Sequence, residues 1–353
     1  FLFYCIFIKI TLMLCIFDAI RFGKSFALRI LILFVLPITI KSNLFAQEVY
    51  YSEINKKERA NLDFQIIGKT SEHILIYKKA EGDHIIAFYD QKMVFLRSIS
   101  MDFIPEKTIS IDFIKYADTV AVVYAYVKNQ HVFCYAAMLK ASSNAFSDPV
   151  LIDESTVGLF ADRDIYHVTA SENKENILVY KKSVHNDEVT FNLQVFTKKF
   201  LLSDTLLVIR EHNPLKEFFT DLIIDNNGTV AFTLENRKRA IDNFDSLTLF
   251  VHKKGEQGIK DFPLYLSEHY IEKVLLKADN INKNIILNAY YNTTKRGKVE
   301  GLFSAVFSML YAHFLPCSML LLKYARPLAA EKNGLAQSNV TFILGLTCSR
   351  RLR

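Results

Sequence analysis

The chain has 353 residues, 51% of them hydrophobic, with 43 Lys+Arg against 37 Asp+Glu and a formal net charge of +6. So high an apolar fraction, with only 11 Gly and 7 Pro, excludes a disordered or collagen-like chain, and five Cys over this length exclude a disulfide-framed miniprotein. Residues 1–46 hold 5 basic and 1 acidic residue, 47–300 hold 32 and 35, and 301–353 hold 6 and 1, so the positive excess belongs to the two ends and the middle gives no support for nucleic-acid binding.

At the N-terminal end, Arg21, Lys24 and Arg29 precede an apolar run at 30–40, followed by Lys41-Ser42-Asn43-Leu44-Phe45-Ala46. That order of basic region, apolar core and small residue is an export signal with cleavage expected near Ala46. The run is short for a spanning helix and Pro37 interrupts it; an uncleaved anchor is the alternative. The expected location is periplasmic, outer-surface or secreted. The sequence opens on Phe1, and residues 1–12 read as an apolar stretch upstream of a start near Met13.

From residue 47 to 307, short runs rich in Ile, Val, Phe and Tyr alternate with polar turns, and helical periodicity is missing. Five runs share one column: 73–77 (HILIY), 120–124 (VAVVY), 176–180 (NILVY), 230–233 (VAFT) and 284–288 (NIILN). They end at Tyr77, Tyr124, Tyr180, Thr233 and Asn288, in steps of 47, 56, 53 and 55. A period near ~50 built from strands is the mark of radial β repeats. Each repeat reads as four strands, in the third at 165–170, 176–181, 189–197 and 200–209. In the fourth, a strand at 217–224 leads through Asp225-Asn226-Asn227-Gly228 into the next, the strongest hairpin turn of the chain. Val49-Tyr50-Tyr51 has the composition to add a closing strand to the last repeat.

On these repeats the chain resembles the β-propellers, in the manner of secreted envelope proteins of Gram-negative bacteria. The resemblance covers residues 48–307 and implies an all-β fold of about five recognisable four-stranded blades, possibly a truncated set, between apolar terminal segments. The Trp-Asp and Gly-Gly signatures of two large propeller classes are absent, so no functional residue transfers. A β-sandwich array and a β-solenoid are the competing architectures.

After Phe307 the character changes. Residues 302–322 carry no formal charge, with Lys323 and Arg326 beyond, and the tail 308–353 ends Arg350-Arg351-Leu352-Arg353. Three readings stay open: a shifted reading frame, a membrane anchor through 302–322, and a buried helix.

No motif for a metal, phosphate loop or nucleophile elbow occurs, and no cofactor is implied. Cys134, inside an apolar run, reads as a buried thiol. Asp162, Asp164 and His167, just before the first strand of the third repeat, are the candidate acid–base set, because paired carboxylates with a histidine suit cleavage of a glycosidic bond. A second pattern is electrostatic. Loops after the second strands hold Lys78, Lys79, Lys181, Lys182, Arg237, Lys238, Arg239, Lys295 and Arg296, whereas turns before them hold Glu72, Asp118, Glu172, Glu175, Asp225 and Asp279. In a propeller these sets lie on opposite faces. The leading expectation is therefore an exported binding module whose basic face meets an anionic polysaccharide, lipid headgroup or envelope protein. The alternative is a propeller-type glycan hydrolase or lyase.

Overall fold

The computed structural model describes residues 49–52, 63–80, 82–140, 142, 145–157, 164–264, 266, 269–309, 316–324 and 342–346. The export segment and Asp162 lie outside them. The chain divides into two units, Phe1–Tyr51 and Ser52–Arg353. In the first, Val49 to Tyr51 are exposed and belong to no strand.

The second unit is all-β among its described residues, in five antiparallel sheets. The first holds β1 (Asp63–Lys69), β2 (Ile74–Ala80), β3 (Asp83–Tyr89) and β4 (Phe95–Ser100), side by side in chain order. The second holds β5 (Thr108–Lys115), β6 (Thr119–Lys128) and β7 (His131–Lys140), whose outer edge pairs with both β8 (Ala145–Phe146) and β9 (Val150–Thr156). The third is β10 (Tyr166–Ala170), β11 (Asn176–His185), β12 (Glu188–Thr197) and β13 (Leu202–Glu211). In the fourth, β14 (Glu217–Phe219) and β15 (Ile223–Ile224) both pair with β16 (Val230–Asn236), followed by β17 (Ser246–His252) and β18 (Lys260–Leu264). The fifth is β19 (Tyr270–Asp279), β20 (Asn284–Asn292), β21 (Gly301–Ser308), β22 (Pro316–Tyr324) and β23 (Phe342–Leu346).

The leading strands adjoin in succession, β1 to β5, β5 to β10, β10 to β15 and β15 to β19. Between consecutive sheets lie four apolar layers. Leu75, Phe88 and Val122 fill the first, Val123, Cys134 and Ile177 the second, Phe191, Phe232 and Leu178 the third, and Leu249, Leu287 and Phe303 the fourth. Sequential four-stranded meanders stacked face to face, each leading strand beside the next, are the blades of a β-propeller. The recurring column is the set of second strands. Each is flanked by strands on both edges, and in the three inner blades by apolar layers on both faces, so there its residues form near-continuous apolar runs such as Val120 to Tyr124 and Val230 to Leu234, all buried.

Two departures from the sequence reading have local causes. The continuous strand expected at 217–224 is interrupted at 220–222, where Thr220 Oγ1 accepts the Thr233 N–H at 2.9 Å and takes the place of a ladder bond. The stretch 302–322 is not one helix: its residues 302–308 lie in β21 and 316–322 in β22, and the two strands pair antiparallel from Gly301 with Lys323 to Phe307 with Pro316. The edge of the last blade is extended by β22 and β23. No helix among the described residues is long and apolar enough to cross a membrane.

The Asp225 turn forms as expected. Its carboxylate accepts the Asn227 and Thr229 N–H groups at 2.9 and 2.6 Å, and Gly228 adopts φ 88°, which a side chain resists.

Candidate functional site

A cleft of about 840 Å³ opens between the second and third blades. Its walls come from the end of β9 (Ser155, Thr156), the entry to β10 (Asp164, Ile165, His167), the far end of β11 (Lys181 to His185) and the start of β12 (Thr190, Asn192). Asp164 and His167 thus meet Lys181 and Lys182 in one cavity, which joins the acid–base candidates to two of the basic-loop candidates. The other seven basic residues sit at the same ends of their second strands, on other blades.

Beside it lies a smaller cleft of about 500 Å³ between β5 and β10, lined by Asp112. Asp112 shares a sheet face with Ile114, which packs toward the third blade. Burial pushes its carboxyl up to about 6; the negative Asp164 adds to the rise and His167 opposes it. A carboxyl raised in this way holds its proton to higher pH than a solvated aspartate does; Asp112 lines the smaller cleft, whereas Asp164 and His167 line the larger. Asp112 was missed in the sequence analysis. Its one signal is a charged residue inside the otherwise apolar alternation of β5.

The larger cleft shows how adjacent lysines acquire different roles. In antiparallel register His167 faces Tyr180 and Tyr166 faces Lys181, so Tyr166 and Lys181 point to one side of the third sheet and His167, Tyr180 and Lys182 to the other. The Lys181 ammonium donates to Asp153 Oδ2 at 2.6 Å and Ser155 Oγ at 2.9 Å, and Tyr166 O–H donates to the same Asp153 oxygen at 2.7 Å. This network ties the third blade to the second, and burial, with the Asp153 hydrogen bond, raises the Tyr166 phenol far above its ordinary range. Lys182 instead lies 5.4 Å from the Phe219 ring centroid, and burial lowers its pKa against the opposing pull of Asp221.

Most of the remaining basic residues are engaged within the protein. Lys78 sits over Tyr89, and Arg237 stacks on Phe218 at 4.3 Å and donates to the Leu215 carbonyl. Lys238 approaches Asp245 at 3.9 Å, and Arg296 bonds Asp242 at 3.1 Å. Lys79 is half-buried and its charge helps lower the pKa of His84, after burial as the larger cause. Arg239 and Lys295 are exposed. Cys134 is 1% exposed, and burial raises its thiol beyond any nucleophilic range. Among the described residues no group of three or more His, Cys, Asp or Glu side chains converges as a metal site.

No family model and no curated protein matches the chain. Solved structures similar to it include the β-propeller domain of the Trilobed protease from Pyrococcus furiosus, at 9% identity and TM-score 0.41, covering 73% of this chain and 77% of that one. The polysaccharide lyase Uly1 aligns at 8% identity and TM-score 0.39, over 83% and 82% of the two chains. The Bombyx mori GH32 β-fructofuranosidase aligns at 11% and 0.32, over 73% and 61%. At this level of similarity the propeller assignment rests on the chain's own strand order and stacked sheets, and no residue role passes from these proteins to this one.

Proposed function

We propose that the protein cleaves glycosidic bonds at the junction of its second and third blades. The observation that carries this reading is Asp112, a half-buried carboxyl lining the cleft between β5 and β10, which burial first and the charge of Asp164 second push up to about 6. In hydrolysis, Asp112 gives its proton to the departing glycosidic oxygen as the C1–O bond breaks. Asp164 or His167 takes a proton from the water whose oxygen bonds to C1. In elimination, the base instead removes the proton on the carbon next to a sugar carboxylate, the C–O bond on the neighbouring carbon breaks as Asp112 gives its proton to the departing oxygen, and a carbon–carbon double bond forms.

A panel of neutral and uronate-containing polysaccharides tests this. New reducing ends without ultraviolet absorbance report hydrolysis, and both together report elimination. Asp112→Asn should lower kcat by about 10²-fold or more, the usual contribution of a general acid. Because the acid must carry its proton, the wild-type rate should fall as pH rises past about 6, and that limb should vanish in the variant. Glycans that bind calorimetrically yet stay intact in both assays would defeat the reading and favour a binding module built on the basic cleft residues. An exported location remains the proposal from residues 21–46, to be checked by the mature N-terminus in a secreting host.

A further inference from the structure

We infer that the glycan entering the cleft carries a carboxylate and that Lys182 is its seat; this rests on the glycan reading above. Lys181 cannot play that part, since Asp153 and Ser155 already occupy its ammonium at 2.6 and 2.9 Å. Arg210 cannot either. It shares the Phe219 ring with Lys182 but has Glu217 at 3.5 Å for its charge. Among the described residues Lys182 has a ring face as its contact and no carboxylate within ion-pair distance, while Asp221 acts on it only from further away.

A partly desolvated ammonium so placed lacks the counter-charge that buried cations otherwise acquire. The depression of its pKa by burial is the same fact seen from the proton's side, and a bound carboxylate would reverse it. The register sets Lys182 and His167 as diagonal neighbours across Tyr180, roughly 7–8 Å apart along the backbone, on the sheet face turned toward Phe219 of the fourth blade, and both line the cleft. That separation is on the order of one sugar unit, so a carboxylate on Lys182 would bring the adjoining glycosidic bond toward His167. One ammonium offers one counter-charge, which suits a monoanionic uronate.

The test is binding by the full chain carrying Asp112→Asn, which slows turnover by about 10²-fold. Oligogalacturonate, its carboxyl-reduced counterpart and a sulfated neutral glycan are titrated by calorimetry at two salt concentrations. Oligogalacturonate should bind about ten-fold tighter than the reduced oligomer, the range expected of one partly buried charge pair. Lys182→Met, which keeps the aliphatic stem over Phe219, should abolish that difference and leave affinity for the reduced oligomer unchanged. Lys182→Arg should retain it and shows that the fold tolerates the site. Equal affinity for the charged and reduced oligomers, preference for the sulfated glycan, or indifference to Lys182→Met overturns the inference. Carboxylate-dependent binding without cleavage by the unmutated chain would sink the catalytic reading alone. Cleavage of neutral glycans, unaffected by Lys182→Met, would sink this one alone.

Discussion

At the residue scale, two carboxyl groups are held against their ordinary chemistry. Asp112 is one. Glu235, 6% exposed near the end of β16, is the other: burial pushes it up to about 7, against one N–H bond from Val274. That N–H is available because a bulge at Lys273 shifts the register of β19 between Glu272 and Val274. A raised carboxyl binds its proton more tightly in the folded than in the unfolded chain. Its contribution is therefore fully present below the unfolded value, here 4.5, and is lost as pH rises through about 7. Glu235→Gln keeps an acceptor for Val274 and removes the charge. Urea denaturation should show it stabilising at pH 8 by about 2–3 kcal/mol, with no difference below about pH 4.5. No gain at pH 8 would mean that the carboxylate is solvated in the folded state.

At the element scale, the turns between first and second strands lock neighbouring blades through asparagines. Asn226 Oδ1 accepts the Asn173 N–H at 2.9 Å, and its carbonyl accepts Asn176 Nδ2 at the same distance. The Asn226 N–H donates to Asn280 Oδ1 at 2.7 Å, and Asn280 Nδ2 donates to Glu172 at 2.8 Å. Three blades are joined at one end by residues that a local reading treats as interchangeable turn formers. Asn280→Ala leaves a half-buried N–H unpartnered and should cost about 1–3 kcal/mol in chemical denaturation. Amide exchange at Asn226 should quicken by more than at neighbouring residues of β16. The acidic excess predicted for these turns is thus only part of their role. Similarly, the lysines and arginines of the opposite loops turn out to be largely spoken for by aromatic rings and carboxylates.

At the scale of the whole molecule, stability lies in the layers between blades, where each fully buried Phe or Leu contributes roughly 1.5–3 kcal/mol. Cys134 sits in one such layer, facing Ile177 and Val179 of the next blade. Its thiol should resist alkylating reagents in the native protein. Peptide mapping should find it labelled only at denaturant concentrations where far-ultraviolet circular dichroism also reports unfolding. Labelling well before that midpoint would show the second and third blades parting on their own. Along the leading strands, Phe64 and Ile66 of β1 remain 60% and 65% exposed, whereas Ile114 of β5 and Tyr166 of β10 are buried between blades.

Much of the architecture was legible in the sequence because burial is a sum of local facts. A strand flanked on both edges and packed on one or both faces is rich in apolar residues, so five such runs at a period near ~50 mark five second strands wherever the chain later carries them. Turn chemistry was legible for the same reason, as at Asp225 to Gly228. The interruption at Thr220 and the pairing of residues 316–324 were not, because each is decided by a hydrogen-bond partner distant in sequence or by an edge left open for pairing. The site lies furthest from local reading. Asp164 and His167 stand out in sequence as polar residues at the entry to a strand, but Asp112 lies a full repeat earlier, and only the stacking of β5 beside β10 brings it under their charge. Nor does a sequence distinguish Lys181 from Lys182: the pleat sends one to Asp153 and the other to Phe219. The sequence by itself determined which residues are buried in which strands. Tertiary structure decided which charges meet, because side-chain proximity across blades is set by register and stacking rather than by any neighbouring residue.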